Sequence, residues 1–132
     1  MFDGSVSDRL ALRELVDSYS DAVMRRDADA WIGTWCDEGE WSFRGRTITG
    51  KSEILRTWKA AMGDFQGIVF LTQPGSVSIE GDLARMTNYT FEHLVLPDGT
   101  TKLQAGIYDD TAQKTDRWRF ARRSFTAREL TI

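Results

Sequence analysis

The 132-residue chain has one cysteine, Cys36, and one histidine, His93. A single thiol closes no internal disulfide, and one Cys with one His cannot build a Cys/His zinc site. A reducing compartment, the cytoplasm, is therefore expected. No apolar run is long enough to span a bilayer. Basic residues are not in excess: 17 Lys and Arg stand against 20 Asp and Glu, a formal net charge of -3. That argues against a nucleic-acid partner. Met1-Phe2-Asp3-Gly4-Ser5 lacks the basic, apolar and cleavage regions of a signal peptide. Gly-rich phosphate loops, Ser-His-Asp patterns and dinucleotide fingerprints are missing, so no cofactor and no metal is implied. There are no internal repeats and no low-complexity linker. One domain over residues 1–132 is expected.

What is present is globular in balance, 41% hydrophobic and 28% charged. Ser5 or Ser7 can cap a helix beginning near Asp8. Leu12, Leu15, Val16, Tyr19, Ala22 and Val23 then recur at helical spacing, with Glu14, Asp17, Asp21 and Arg25 opposite. Asp27-Ala28-Asp29 reads as a break and a new cap for a short helix with Trp31 and Trp35. Asp37-Glu38-Gly39 reads as a turn, followed by a short strand at Trp41-Ser42-Phe43. Gly50-Lys51-Ser52 begins a third helix with an apolar stripe of Ile54, Leu55, Trp58, Ala61 and Met62.

After Gly67 the texture is that of strands: 68–71, 76–80, 83–96, 102–111 and 117–128, with "QPGS" and Asp98-Gly99 as turns. Helices first and a strand meander afterwards predict an α+β fold. A tight hairpin at Asp98-Gly99 would pair Glu92 with Ala105, Thr90 with Ile107 and Asn88 with Asp109 on one face. Tyr89, Phe91, His93, Gln104, Gly106 and Tyr108 would lie on the other. A one-residue slip exchanges the faces.

Several stretches, in order and spacing, resemble the SnoaL-like family of the nuclear-transport-factor-2-like superfamily. They are "LRELVDSYSDAV", "RRDADAW", "WCDEGEW", "ITGKSEIL", "SIEGDLA" and "GIYDDTAQKTDRWRFARR". The resemblance covers nearly the whole chain. It implies a curved antiparallel sheet wrapped by N-terminal helices, a cone-shaped roll with a central apolar pocket. Related proteins include ketosteroid isomerases, scytalone dehydratase, hexachlorocyclohexane dehydrochlorinase, limonene epoxide hydrolase and polyketide cyclases; others only bind, so fold does not fix function.

Residue by residue, the resemblance places Tyr19 where ketosteroid isomerases hold the phenol that donates to a developing enolate. The isomerase base falls at Phe43 and its second donor at Ile107. The His–Asp dyad of the dehydratase and dehydrochlorinase falls at Val69 and Met24, where neither side chain can act as an acid or base. The expected pocket wall is Met24, Trp41, Phe43, Val69, Asn88, Thr90, Ala105 and Ile107.

In the predicted register Glu92 and Arg123 both flank Ala105 and can meet above it as a charge-assisted pair. Glu92 is then a base held by Arg123, with Tyr19 polarising a carbonyl or epoxide. The bland alternative is a structural ion pair closing the wide end of the cone. His93 is expected to face away from the pocket, and Asp21 to be solvated. Trp31, Trp35, Trp41 and Trp58 serve core and pocket wall.

The expected function is a cofactor-independent lyase, isomerase or cyclase acting on a hydrophobic, aromatic or polycyclic small molecule. A ligand-binding or accessory subunit and an epoxide hydrolase-like enzyme are the alternatives. An outer sheet face carrying Tyr89, Phe91, Tyr108, Trp118 and Phe120 would be too apolar for water, so a homodimer through that face is expected.

Overall fold

The computed structural model describes residues 1–129. Three helices and seven strands follow one another as β1 (Phe2–Asp3), α1 (Val6–Arg25), α2 (Ala28–Ile32), β2 (Trp35–Phe43), β3 (Arg46–Thr49), α3 (Lys51–Gly63), β4 (Gly67–Glu80), β5 (Leu83–Val95), β6 (Thr101–Lys114) and β7 (Trp118–Glu129). The strands form one curved mixed sheet in the order β1-β4-β5-β6-β7-β2-β3. Only β1 with β4 and β2 with β7 run parallel. The helices lie on the concave side.

Local chemistry sets the helix ends. The Ser5 hydroxyl accepts the Asp8 N–H at 3.0 Å, satisfying one orphan donor of the first turn. At the other end Arg26 is left-handed, and the Asp27 carboxylate accepts the Ala30 N–H to start α2. The inward stripe of α1 is the one read from periodicity: Leu12, Leu15, Val16, Tyr19, Ala22 and Val23 are all buried. Full burial of each aliphatic side chain stabilises the fold by about 1.5–3 kcal/mol.

The sheet departs from the sequence reading in four places. Trp35 is not in the second helix, which ends at Ile32, and Asp37-Glu38-Gly39 is not a turn; both belong to β2, whose ladder with β7 is irregular between Trp35 and Glu40. "QPGS" is not a turn either. It lies inside the single long strand β4, where the register shifts between Pro74 and Ser76. Gly75 occupies that bulge; a Cβ there would stand 2.5 Å from the Tyr89 ring.

The third departure decides the site. The β5–β6 connection is a three-residue loop, Pro97-Asp98-Gly99, not the two-residue turn expected. Leu96 N–H donates to the Thr100 carbonyl at 2.8 Å, Gly99 adopts φ +85°, and the Asp98 carboxylate accepts from the Thr100 N–H and hydroxyl. A left-handed glycine closing a three-residue hairpin is a favoured solution. It moves the register by one residue. Glu92 pairs with Gln104, Thr90 with Gly106, and Asn88 with Tyr108. Every β6 side chain therefore sits on the face opposite to that predicted.

Finally, the β6–β7 hairpin turns through Thr115-Asp116-Arg117, with a bulge after Thr111, so Arg123 pairs with Asp110 instead of Ala105. Tyr108, Trp118 and Phe120, expected on the outer face, are buried on the inner one. Among the described residues no helix is long and apolar enough to cross a membrane.

Candidate functional site

A cavity of about 470 Å³ opens between α1, α3 and the concave face of the sheet. That volume suits a drug-sized molecule. Tyr19 and Val23 come from α1, Trp41 and Phe43 from β2, and Trp58, Ala61 and Met62 from α3. Phe65 follows α3, and Ile68, Phe70, Glu92, Gln104, Tyr108 and Phe125 come from the sheet. Arg44, on the turn after β2, and Asp64, after α3, complete the charged lining. The wall is mainly aromatic, and its polar groups are few and localised.

Glu92 is the first of these. Alternation along β5 turns Asn88, Thr90, Glu92 and Leu94 inward and leaves Tyr89 and Phe91 exposed. The Glu92 carboxyl makes no hydrogen bond or ion pair with another described residue. Burial in an apolar wall penalises its charged form and pushes its pKa up to about 7; the charges of Arg44 and Lys102 pull the other way without cancelling this. A carboxyl poised near neutrality is equally able to take and to give a proton.

Two phenols form the second group. Tyr19 packs among Trp31, Phe70 and Phe120, with ring centroids 5.4, 6.0 and 5.6 Å away, and Tyr108 lies 6.4 Å from it. Burial raises both phenol pKa values, so each stays protonated and can donate. The Trp31 indole acts on the Tyr19 oxygen and the Trp41 indole on the Tyr108 oxygen. Neither indole N–H makes a well-formed hydrogen bond with a described acceptor. The cavity floor thus presents two hydroxyl groups, Tyr19 and Tyr108, that lie close enough to act on one another and that can each donate or accept. Buried donors are normally partnered, and a ligand oxygen would partner these.

Beneath the phenols lies a buried ionic group. Arg123 donates to Asp110 through Nε at 2.8 Å and Nη2 at 3.0 Å, and Asn88 donates to the same carboxylate at 2.7 Å. The guanidinium stacks over Tyr108 at 3.7 Å, Phe120 at 4.2 Å and Tyr19 at 4.3 Å. Burial alone would lower the Arg123 pKa, but the negative charge of Asp110 outweighs it and the group stays cationic. This arrangement fixes both phenol rings from below.

Of the residues singled out from sequence, Tyr19, Trp41, Phe43 and Glu92 meet around the cavity. Asn88, Thr90 and Arg123 face inward but are packed behind the wall; Asn88 bonds Asp110, not Asp109. Arg123 does not hold Glu92. Six residues of β6 separate their pairing positions, Gln104 and Asp110, a span of about 20 Å along the strand.

Met24 lies outside the cavity, 43% exposed, with its sulfur accepting the Phe70 N–H at 3.1 Å. Val69 is on the convex face because Ile68 and Phe70 take the inward positions of β4. Ala105 and Ile107 are convex too, opposite exposed Phe91 and Tyr89, as the shifted register requires. His93 shares that face, paired between Val69 and Leu103. Asp21 is exposed and pairs with Arg25 at 2.9 Å.

Sequence reasoning missed Tyr108, Gln104 and Asp110 through the register, and Arg44 altogether. Trp58 borders the cavity, as its reading as core and pocket wall allowed, but nothing in the apolar stripe of α3 said that Ala61 and Met62 would do so.

A family model described as "SnoaL-like domain" matches residues 4–124. No curated protein sequence matches the chain. Solved structures are similar throughout. The structure of LinA aligns with a TM-score of 0.87 at 20% identity, covering 96% of this chain and 89% of that one. A scytalone dehydratase-like protein from Novosphingobium aromaticivorans DSM 12444 aligns at 0.85 and 16% identity, covering 96% and 90%. The Kfla4162 protein from Kribbella flavida aligns at 0.84 and 25% identity, covering 92% and 90%.

Proposed function

The chain belongs to the SnoaL-like domain family, and on that premise we propose that it is a cofactor-independent lyase, isomerase or cyclase. Its substrate is an aromatic or polycyclic small molecule, and Glu92 moves the proton. One observation carries this reading: a carboxyl with a pKa of about 7 stands in the wall of an aromatic cavity that also receives two protonated phenols.

The chemistry follows from the layout. The ligand's rings lie between the aromatic walls, where burying them is favourable and water is excluded. Its carbonyl oxygen points to the floor and accepts from Tyr19 and Tyr108. Those donors strengthen their bonds as negative charge develops on that oxygen. Glu92, as the carboxylate, takes a proton from carbon beside the carbonyl. As the carboxylic acid it returns the proton at another position or to a departing hydroxyl. No imidazole takes part, since His93 is on the far side of the sheet.

The same layout favours one second reading. With no side chain hydrogen-bonded to the Glu92 carboxyl to orient it, and with Asp64 as the other carboxylate of the lining, the domain can serve as a ligand-binding subunit. The epoxide hydrolase-like alternative loses its basis, because Arg123 is committed to Asp110.

Deuterium exchange separates the two. Incubating the protein in D2O with tetralones, indanones and steroid ketones reports any proton abstraction, whatever the product. Exchange above buffer is expected for at least one ketone. It should fall by about 100-fold or more in Glu92→Gln, the range for losing a general base, and by about ten-fold or more in Tyr19→Phe. Binding of the ketones without exchange would support the binding subunit instead.

A further inference from the structure

The hairpin between β2 and β3 turns in two residues, Arg44 and Gly45, with φ of 51° and 74°. Both positions are left-handed. Glycine adopts that conformation freely and asparagine or aspartate with little penalty, whereas arginine is strained there. An arginine kept where Asn-Gly would be more comfortable calls for a role. Its side chain lines the mouth of the cavity.

Arg44 has company. Lys102 pairs with Leu94 one inward position beyond the Glu92–Gln104 pair, so it stands on the same face toward the mouth. Both charges that act on the Glu92 carboxyl are positive, and they belong to these two residues. Neither Arg44 nor Lys102 makes an ion pair or side-chain hydrogen bond with another described residue. The mouth's own carboxylates are Glu92, which is largely neutral just below pH 7, and Asp64 across the opening on the α3 side. A chain of net charge -3 thus holds two cations without an ion-pair partner among the described residues, Arg44 in the cavity lining and Lys102 beyond it on the same face of the sheet.

We propose that the cavity selects aromatic carboxylates: the ring system enters between the aromatic walls, and Arg44, assisted by Lys102, binds the carboxylate at the mouth. A guanidinium suits that task because its planar donors match a carboxylate in two parallel hydrogen bonds. Arg44 is exposed in the free protein, so the shielding of this pair from water comes from the ligand's own rings as they fill the cavity. This deepens the reading of the cavity as a small-molecule site, yet it does not require turnover.

The test uses isothermal titration calorimetry at about pH 6.5 with 2-naphthoate and its neutral isostere 2-naphthamide. Naphthoate is expected to bind about ten-fold or more tightly than naphthamide. Arg44→Asn should remove most of that preference while raising the urea midpoint, because asparagine relieves the turn; a folding defect would lower it. Lys102→Gln should weaken the preference by a smaller factor. Glu92→Gln should lose deuterium exchange while naphthoate stays favoured by at least the native factor, since a partly charged carboxyl beside the anion is removed; that separates a failure of carboxylate recognition from a failure of acid–base chemistry. Equal affinity for the two probes, no heat from either at millimolar concentration, or an unchanged preference in Arg44→Asn would overturn the proposal.

Discussion

Asp110 and Arg123 face each other across β6 and β7, joined by two hydrogen bonds and each at most 1% exposed. A buried pair of this kind adds little net stability, because both charges lose their water, but breaking it is costly. Asp110→Asn should destabilise the protein by about 3–5 kcal/mol, leaving Arg123 charged and unpaired. The double variant Asp110→Leu/Arg123→Met should recover most of that loss. Urea denaturation of the three proteins measures it; an additive double variant would show that the pair is not coupled.

Gly106 is held by shape. A Cβ at this position would stand 2.1 Å from the Phe125 ring, which packs on Tyr108 with centroids 4.9 Å apart. Gly106→Ala must push Phe125 into the cavity or strain the strand, at a cost of about 1–3 kcal/mol. The expected signature is a lower urea midpoint together with weaker binding of 2-naphthamide. A variant that matches the native protein in both would refute this packing.

Glu92 makes stability depend on pH with a defined sign. Burial raises its pKa from the ordinary 4.5 to about 7. Between those values the folded state holds a proton that the unfolded state has lost. Stability therefore falls as pH rises through this window, by about 3 kcal/mol at most, and less because the group is only partly buried. Glu92→Gln should match the native protein near pH 4.5 and exceed it in stability above pH 7. A difference that does not change with pH would contradict the burial argument.

The convex face exposes Val69, Leu71, Tyr89 and Phe91, with Leu71 paired directly to Phe91. Tyr108, Trp118 and Phe120 are not part of it. We propose that a second copy of the chain covers this patch, burying about 1,200–2,000 Å² as a stable dimer does. Light scattering should give twice the monomer mass, and Leu71→Lys/Phe91→Lys should give the monomer with its fold intact. A native chain monodisperse as a monomer would refute the dimer.

How far the sequence could be read followed the range of the signals. The α1 stripe from Leu12 to Val23 is local, set by one helix period, and it placed Tyr19 correctly in the core. Inward Glu92 was also legible, because alternation along β5 needs only one strand. The partners of those residues were not. Whether Tyr108 or Ile107 faces Tyr19 depends on whether one loop holds two residues or three, and Asp98-Gly99 is compatible with both. Arg123 was placed inward correctly, but a bulge and a later turn gave it Asp110 in place of Glu92. Arg44 escaped notice for another reason: in a left-handed turn it breaks the local preference by which turn residues are recognised.

The central claim is that the Glu92 carboxyl is a proton carrier inside a ligand cavity, and NMR titration of 13C-labelled glutamate carboxyls tests it most directly. One carboxyl resonance, missing in Glu92→Gln, should titrate near pH 7 and shift its titration when 2-naphthoate is added. A Glu92 resonance that titrates near 4.5 and ignores the ligand would contradict the account.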